Sequence, residues 1–459
     1  MAGIGFVLRR LAQQDNLLGA LQAYGYSALV TSGPWLFTIL AVGGINVMGV
    51  RFFGIEGVET FRIVLIYNFA FSLALSGPVL LVVTRFLADS IFLKDVEGAP
   101  ALLIAGIAMV FFTQAPFVLP LYLWYVEMET VDRLMAVANY FLIDGVWLVS
   151  VFLTALKDFR SIGITFFLGM ASAFGAAVAS AAAFGVTGLL FGFNIGMMLI
   201  LYVLCMRVFA EYPYGLVRPF AFLAYFRKYW DLALSGLAYN LAIWADKWVM
   251  WLADEKVVSR TGLVSYPIYD SAMFLAYLSI VPAMSIFIVA VETNFYERYL
   301  EYYRGIQNHA TLSHIRRAHR AISRELNSSG RNLIVLQAVI AALVVLLSPQ
   351  IFALLQLPSK QIGIFRLGVL GALFHILLLF TMIVLSYFDL RRTMLWVNLF
   401  YLVSNALFTW ATLHLGFAWY GYGYFLASLL TFCVAYVLCI TSISNLSYLT
   451  FIKNNASIE

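Results

Sequence analysis

Four ionisable residues stand inside long apolar stretches of the chain: Asp144, Asp246, Lys247 and His375. A charge at the centre of a bilayer costs roughly 2.5–3.5 kcal/mol, so such a residue needs a partner or a function. Asp144 is the clearest case, because its short side chain is too deep to reach either membrane interface. It predicts a site for binding or ion coupling, or alternatively a structural hydrogen bond to another helix.

The neighbours Asp246 and Lys247 differ in reach. Adjacent residues on a helix sit about 100° apart, so the two need not pair. The lysine can extend to the nearby membrane surface. It also shares one helix stripe with Asn240, Trp244 and Trp251, which allows it to lie against indole faces. The shorter Asp246 is the better candidate for a cavity-facing site, with a structural role as the alternative.

His375 lies at nearly the depth of Asp144, in the corresponding helix of the second half of the chain. An imidazole at that depth could titrate or bind a sugar hydroxyl. The alternative is a single hydrogen bond within the helix bundle. The many tyrosines and tryptophans are lipid-facing or interfacial by default. Inside a passage, however, they would suit sugar rings, which offer an apolar face together with hydroxyl groups.

The composition requires a membrane around these residues. Of 459 residues, 63% are hydrophobic and 11% are charged, and the mean hydropathy is +0.91. Soluble domains carry about 25% charged residues, and a chain this poor in charge could not cover its own surface with polar groups. A bilayer removes that requirement, because the outside of the protein then faces hydrocarbon.

The sequence carries no recognisable enzyme signature. It contains no P-loop, no zinc-protease motif and no nucleic-acid-binding module. The three cysteines, Cys205, Cys433 and Cys439, fall inside apolar runs and form no pair with metal-binding or disulfide spacing. We therefore expect a protein that is not an enzyme, has no cofactor or metal, and does not bind nucleic acid.

Runs of about 20 apolar residues predict an all-α polytopic membrane protein with about twelve transmembrane helices. The predicted spans are 17–50, 61–87, 99–122, 134–156, 161–183, 186–209, 231–253, 263–291, 332–355, 362–387, 394–417 and 420–443. Most of the 28 lysines and arginines fall in segments that are cytoplasmic if the N-terminus is cytoplasmic. By the positive-inside rule, both ends of the chain are then cytoplasmic.

A long linker separates two halves, as in duplicated transporters. The predicted organisation is a six-helix bundle over 1–209, a cytoplasmic linker over 210–230, a second six-helix bundle over 231–443 and a cytoplasmic tail over 444–459. Three prolines within spans are candidate helix kinks: Pro34, Pro78 and Pro282.

The longest loop, 293–331, carries seven arginines and three acidic residues. Its apolar residues recur at helical spacing, which predicts one or two amphipathic helices along the inner membrane surface. Four of its arginines form the candidate surface for a partner or lipid: Arg316, Arg317, Arg320 and Arg324. Attraction to anionic lipid and docking of a cytoplasmic partner are both open interpretations.

Several short motifs occur in order along the chain: Met1–Phe6, Leu21–Tyr24, Ser32–Trp35, Tyr269–Pro282 and Val291–Glu297. At these residues the sequence resembles the membrane transporters of the Pel exopolysaccharide system. The resemblance implies membership of the multidrug/oligosaccharidyl-lipid/polysaccharide exporter superfamily, in which two six-helix bundles flank a central cavity that opens alternately to each side. It identifies no site residues.

The resemblance further implies export of an amino-sugar polymer across the bacterial inner membrane. The implied partners are the exopolysaccharide chain, membrane lipid, a cytosolic PelF-like glycosyltransferase, a PelD-like cyclic-di-GMP receptor and a PelE-like membrane protein. Within transport, the alternatives are a flippase for lipid-linked oligosaccharide and a multidrug antiporter. Outside transport, they are a membrane scaffold that anchors a polysaccharide synthase and a component of the polymerase itself.

Overall fold

The computed structural model describes residues 17–156, 158–289, 291 and 295–453. Parts of the predicted motifs and tail lie outside the described residues: Met1–Phe6, Glu292–Asn294 and residues 454–459.

The described chain is almost entirely helical. The first half contains α1 (Leu17–Gly57), α2 (Glu59–Leu93), α3 (Ala99–Pro120), α4 (Thr130–Leu156), α5 (Phe159–Glu211), α6 (Leu223–Lys228) and α7 (Trp230–Met250). Two short strands follow, β1 (Val257–Val258) and β2 (Val264–Ser265). The remaining helices are α8 (Pro267–Leu278), α9 (Val281–Val289), α10 (Tyr296–Gln307), α11 (Leu312–Leu346), α12 (Ser348–Leu354), α13 (Ile362–Tyr387), α14 (Arg391–Leu415), α15 (Tyr422–Ser444) and α16 (Leu446–Tyr448).

Ten helical segments of the described chain are long and apolar enough to cross a membrane. Two features account for the difference from twelve. First, α5 merges two helices across a non-helical residue, Gly185. Second, α7 is less apolar than the other spans, since it carries Asp231, Asp246 and Lys247. The fold is therefore that of an all-α polytopic membrane protein.

The chain forms two compact units. Among the described residues, one contains those of 32–244 and 251–267, and the other contains those of 17–31, 245–250 and 268–453. The last six residues of α7 thus belong to the second unit, and they include both Asp246 and Lys247.

Glycines allow α5 to fold back on itself. Gly185 has φ 62° and ψ −138°, a conformation that residues with a Cβ rarely adopt. A Cβ at Gly192 would lie 2.1 Å from the backbone nitrogen of Ala177, and one at Gly196 would lie 2.3 Å from the Cβ of Ala173. The two arms of α5 therefore pack with their backbones in close contact, as small residues permit in membrane helices.

Asp158 fixes the start of α5. Its Oδ1 accepts a hydrogen bond from the Ser161 backbone N–H at 3.3 Å, which caps the helix. Its Oδ2 accepts a bond from Arg207 Nε, near the end of the same helix, at 2.7 Å. Burial raises the pKa of this carboxyl, but the hydrogen bonds from Ser161 and Arg207 outweigh burial and hold the pKa below its usual value.

We expect Arg207→Gln to lower the melting temperature slightly at neutral pH, because exposed ion pairs contribute about 0.2–1 kcal/mol. Since the folded-state pKa of Asp158 is lowered, the stability that this carboxylate contributes is fully present above the unfolded-state pKa of about 4. That stability is lost as the pH falls through the folded-state pKa. Thermal unfolding from pH 7 to pH 3 should show the two melting curves converging. A constant difference across that range would contradict the assignment.

The helix backbone differs among the three prolines that are candidate kinks. The helices α1 and α2 continue through Pro34 and Pro78 with helical backbone at both residues, so kinks there remain predictions. Near Pro282 the helix is interrupted over Ser279 and Ile280, between α8 and α9, so the kink predicted there also remains a prediction. Pro282 lies in the first turn of α9, where a missing N–H leaves no bond unmade.

Gln337 of α11 compensates for this interruption. Its Nε2 donates a hydrogen bond to the Ser279 carbonyl at 3.2 Å, and its side chain is fully buried. A neighbouring helix thus satisfies a backbone group freed by the break, as membrane interiors require.

The structure differs from the prediction over residues 293–331, because the second part of this segment belongs to a helix that continues into the next span. The segment from Tyr296 forms α10, but the second amphipathic stretch and most of the ninth predicted span together form the single helix α11. The end of that span forms α12. The composition changes from polar to apolar near Arg331 without a proline, so nothing ends the helix there.

A small β-hairpin follows α7, which the sequence analysis did not predict. Val257 pairs with Ser265 and Val258 with Val264. The Tyr67 hydroxyl donates to the Val264 carbonyl at 2.8 Å and accepts from the Val264 N–H at 3.0 Å. This contact attaches the hairpin to α2.

Candidate functional site

Asp246 and Lys247 form a buried ion pair, which corrects the prediction that they need not pair. Lys247 Nζ lies 3.0 Å from both carboxylate oxygens, and the two residues are 0% and 7% exposed. The prediction considered only the direction in which each side chain leaves the helix. The lysine chain is long enough to curve back to its neighbour, and burial favours that pairing. Lys247 therefore turns inward rather than towards the membrane surface.

Other helices complete the surroundings of this pair. Tyr269 Oη of α8 donates to Asp246 Oδ2 at 3.0 Å, and Asn405 Nδ2 of α14 donates to Oδ1 at 3.5 Å. Lys247 Nζ lies 4.9 Å from the centre of the Tyr277 ring and 5.8 Å from that of Tyr424. Two tyrosine rings thus lie close to the ammonium, and the indole contacts that the sequence pattern allows remain a prediction. Hydrogen bonds and cation–π contacts together stabilise the pair.

His375 of α13 lies within hydrogen-bonding distance of two tyrosines. Its Nδ1 is 3.0 Å from Tyr401 Oη and 3.3 Å from Tyr424 Oη, and the residue is buried. The Tyr277 ring packs edge-on against the imidazole, with 5.7 Å between ring centres. This is the geometry of the internal hydrogen bond that the sequence analysis gave as one of two interpretations.

Three predicted residues therefore belong to one group. Tyr277 and Tyr424 each contact both Lys247 and His375, and Lys247 pairs with Asp246. We refer to the seven residues of this group as the Asp246 cluster: Asp246, Lys247, Tyr269, Tyr277, His375, Asn405 and Tyr424. Tyr277 is the partly exposed tyrosine of the cluster, since Tyr269 and Tyr424 are fully buried.

Asp144 belongs to the other unit and has a different environment. It is fully buried in α4, and neither of its carboxylate oxygens has a hydrogen-bond partner among the described residues. Its polar neighbour is Gln114 of α3, whose Oε1 accepts a hydrogen bond from Tyr140 while its Nε2 has no described partner. Burial of an unpartnered carboxyl is costly, which marks this position as unusual in the fold.

A chain of buried amides links three helices of the same unit. Tyr122 Oη donates to Asn68 Oδ1 at 2.6 Å, Asn68 Nδ2 donates to Asn139 Oδ1 at 2.8 Å, and Asn139 Nδ2 donates to Asn194 Oδ1 at 2.7 Å. Each donor finds an acceptor, so these amides link α2, α4 and α5 as a structural network.

Sequence reasoning missed the tyrosines and asparagines of both groups. One signal was available: Tyr269 and Tyr277 are eight residues apart on one helix face, within the quoted motif Tyr269–Pro282. The described residues contain no group of three or more His, Cys, Asp or Glu side chains that could hold a metal.

Comparison with solved structures identifies the fold. The chain is similar to an outward-facing multidrug resistance MATE family transporter of the MOP superfamily, with 15% identity, a TM-score of 0.66 and coverage of 96% of this chain and 98% of that one. It is also similar to a MOP superfamily transporter from Pyrococcus furiosus, with 16% identity, a TM-score of 0.63 and coverage of 97% of both chains. An inward-facing MATE transporter matches with 14% identity, a TM-score of 0.60 and coverage of 97% and 99%.

No curated protein matches the chain in sequence. A family model does match, over residues 1–451, and its description is "PelG: Putative exopolysaccharide Exporter (EPS-E)". The match extends over both units and nearly the whole sequence, in agreement with the transporter fold. The chain therefore belongs to the PelG family of exopolysaccharide exporters.

Proposed function

We propose that this transporter exports an amino-sugar exopolysaccharide across the bacterial inner membrane, with both of its ends in the cytoplasm. Membership of an exopolysaccharide exporter family and a transporter fold support the coarser statement that it moves a polysaccharide. The amino-sugar substrate, the inner membrane and the orientation rest on the resemblance and on the distribution of basic residues.

The observation that carries the substrate proposal is the ion pair in the Asp246 cluster. A carboxylate buried in a membrane bundle is paired there with a lysine ammonium, which in turn lies over a tyrosine ring. An amino sugar offers the same two features, a cationic amine when it is not acetylated and an apolar ring face that packs on an aromatic ring. The amine of a passing residue would compete with Lys247 for Asp246, while Tyr277 would contact its ring.

Asp144 is our proposed second site in the transport mechanism. Neither of its oxygens accepts a described hydrogen bond, so a bound cation or a substrate group could use them by displacing at most the neighbouring Gln114 side chain. This proposal leaves the coupling ion open and assigns His375 a positioning role, since its Nδ1 contacts Tyr401 and Tyr424.

We further propose that the transporter works with a cytoplasmic glycosyltransferase of the PelF type, together with a PelD-like cyclic-di-GMP receptor and a PelE-like membrane protein. A polymer made in the cytoplasm requires a synthase that delivers its growing end to the exporter. The exposed arginines of α11 support a contact surface for such a protein.

Inverted inner-membrane vesicles test the export step. Vesicles from a polymer-producing strain receive radiolabelled sugar nucleotide, and a glycoside hydrolase added outside digests polymer that has not entered the lumen. We expect protected polymer with the transporter and at least tenfold less without it. A scaffold would leave protection unchanged once synthesis is normalised. If the chain is instead a flippase for lipid-linked oligosaccharide, vesicles that lack it should accumulate short lipid-linked intermediates on their outer, cytoplasmic face.

A further inference from the structure

The exposed face of the first part of α11 is basic. Four arginines on this part of the helix are exposed: Arg316, Arg317, Arg320 and Arg324. They lie within a sector of about 100° on the helix circumference. The opposite face is buried against the rest of the unit through Ile315, Ala318, Ile322 and Leu326.

The same helix continues into the membrane without interruption. Beyond Arg331 the helix becomes apolar, and Ile334, Val335 and Val339 are 41%, 58% and 53% exposed. Ile334 and Val335 fall in the same sector as the arginines, because 18 residues make five turns. The arginine face is therefore the continuation of the lipid-facing surface of this span.

Distances along the helix separate the arginines into two groups. Arg331 is the last charged residue before the apolar stretch of α11, and we take it as the boundary of the hydrocarbon. At 1.5 Å per residue, Arg324 lies about 10 Å from Arg331 towards the N-terminal end of the helix. Arg320 and Arg316 lie about 16 and 22 Å from it in the same direction. The polar headgroup layer on each side of the hydrocarbon is only about 5–8 Å thick. A helix tilt of about 20° shortens these heights by less than a tenth. The outer arginines thus extend past the lipid headgroups.

The outer part of α11 is held in place. The Tyr302 ring of α10 packs near His319, with 6.2 Å between ring centres, and Tyr302 is fully buried. His319 Nε2 lies 2.7 Å from the Ile443 carbonyl at the end of α15. Because two neighbouring helices fix it, this face can present its charges to a partner with little loss of conformational entropy.

The four arginines have no carboxylate partner among the described residues. One ion pair of the neighbouring α10 joins Arg298 and Glu301. Arg320 and Arg324 each direct Nε towards a backbone carbonyl one turn earlier, which leaves their terminal guanidinium nitrogens available. Guanidinium groups bind carboxylates through paired hydrogen bonds.

We infer that Arg316, Arg317 and Arg320 form a docking face for an acidic surface of a cytoplasmic protein, whereas Arg331 faces lipid headgroups. The proposal deepens the partnership given above and rests on its cytoplasmic orientation. It commits to a protein because the distances place these arginines beyond the reach of the bilayer.

Photo-crosslinking in cells tests this inference. A photoreactive amino acid replaces Arg317 in one variant and Arg331, on the same helix face, in another. We expect a protein adduct at position 317, with the crosslinked peptide rich in Asp and Glu, and phospholipid adducts at position 331. Arg316→Glu with Arg320→Glu should reduce the 317 adduct at least tenfold, and Lys at both positions should preserve it. Exchange of the identified carboxylates for Lys should restore the adduct to the Glu variant.

A phospholipid adduct at 317, no adduct there, or a protein adduct unaffected by charge reversal would overturn the proposal. Equal melting temperatures of the Glu and Lys variants serve as the folding control. The crosslinking experiment measures contact and not polymer transport. Failure of the docking proposal can therefore be distinguished from failure of the export proposal.

Discussion

Replacing Asp246 with asparagine is expected to destabilise the protein by about 3–5 kcal/mol, because the Lys247 ammonium would remain buried without its carboxylate. The loss should appear as a lower melting temperature and a lower yield of folded protein in detergent. Export in the vesicle assay should fall at least tenfold. Stability alone would explain that fall, so the single variant does not separate a structural role from a role in transport.

The double variant Asp246→Asn with Lys247→Met makes that separation. It removes both charges and keeps similar side-chain volumes, and a buried pair replaced as a unit is often tolerated. We expect most of the stability to return while export stays at least tenfold reduced. Normal export by the double variant would show that the pair only holds the bundle together. Asp254→Asn with Lys256→Met, at exposed positions in the following loop, is the matched control and should change neither measurement.

The second large effect is expected at Asp144, and there stability and export should change in opposite directions. Neither carboxylate oxygen has a described hydrogen-bond partner. Asp144→Asn should therefore leave the free energy of unfolding unchanged or raise it by up to about 1 kcal/mol, with a melting temperature that is unchanged or higher. Export should nevertheless fall at least tenfold. Residues that are retained despite a cost in stability are typical of functional sites.

Asp132→Asn is the control for Asp144. It changes another aspartate of α4 in the same way, but in the first turn of the helix. Export by this variant should match wild type. If Asp144→Asn exported polymer normally, or if it lost folded yield in proportion to export, Asp144 would have no separate part in transport.

Membrane spans were predicted well where composition alone determines them. The span predicted over 362–387 coincides with α13, because a long apolar run there is bounded by polar residues at both ends. The two spans predicted on either side of Gly185 also correspond to the arms of α5. The extent of α11 was not predicted, because the pattern changes from amphipathic to apolar without a residue that ends a helix.

The candidate sites were predictable in position but not in their contacts. Burial of Asp144 and Asp246 follows from a charge inside an apolar run, and both are fully buried. The pairing of Asp246 with Lys247 was missed, since helix geometry gives the direction of Cβ and not the position of a lysine Nζ four carbons away. Tyr277, Tyr424 and Asn405 reach the pair from other helices, so only tertiary packing brings them together.

The uninterrupted length of α11 has a mechanical consequence. One helix connects the exposed Arg316 with Gln337, whose amide binds the Ser279 carbonyl at the break between α8 and α9. Arg316 and Gln337 are about 32 Å apart along the helix axis, and Ser279 is two residues from Tyr277 of the Asp246 cluster. A tilt imposed on the part of α11 that carries Arg316 would move Gln337 and so strain its hydrogen bond to Ser279. A protein bound to the arginines would therefore be mechanically connected to the Asp246 cluster without touching it.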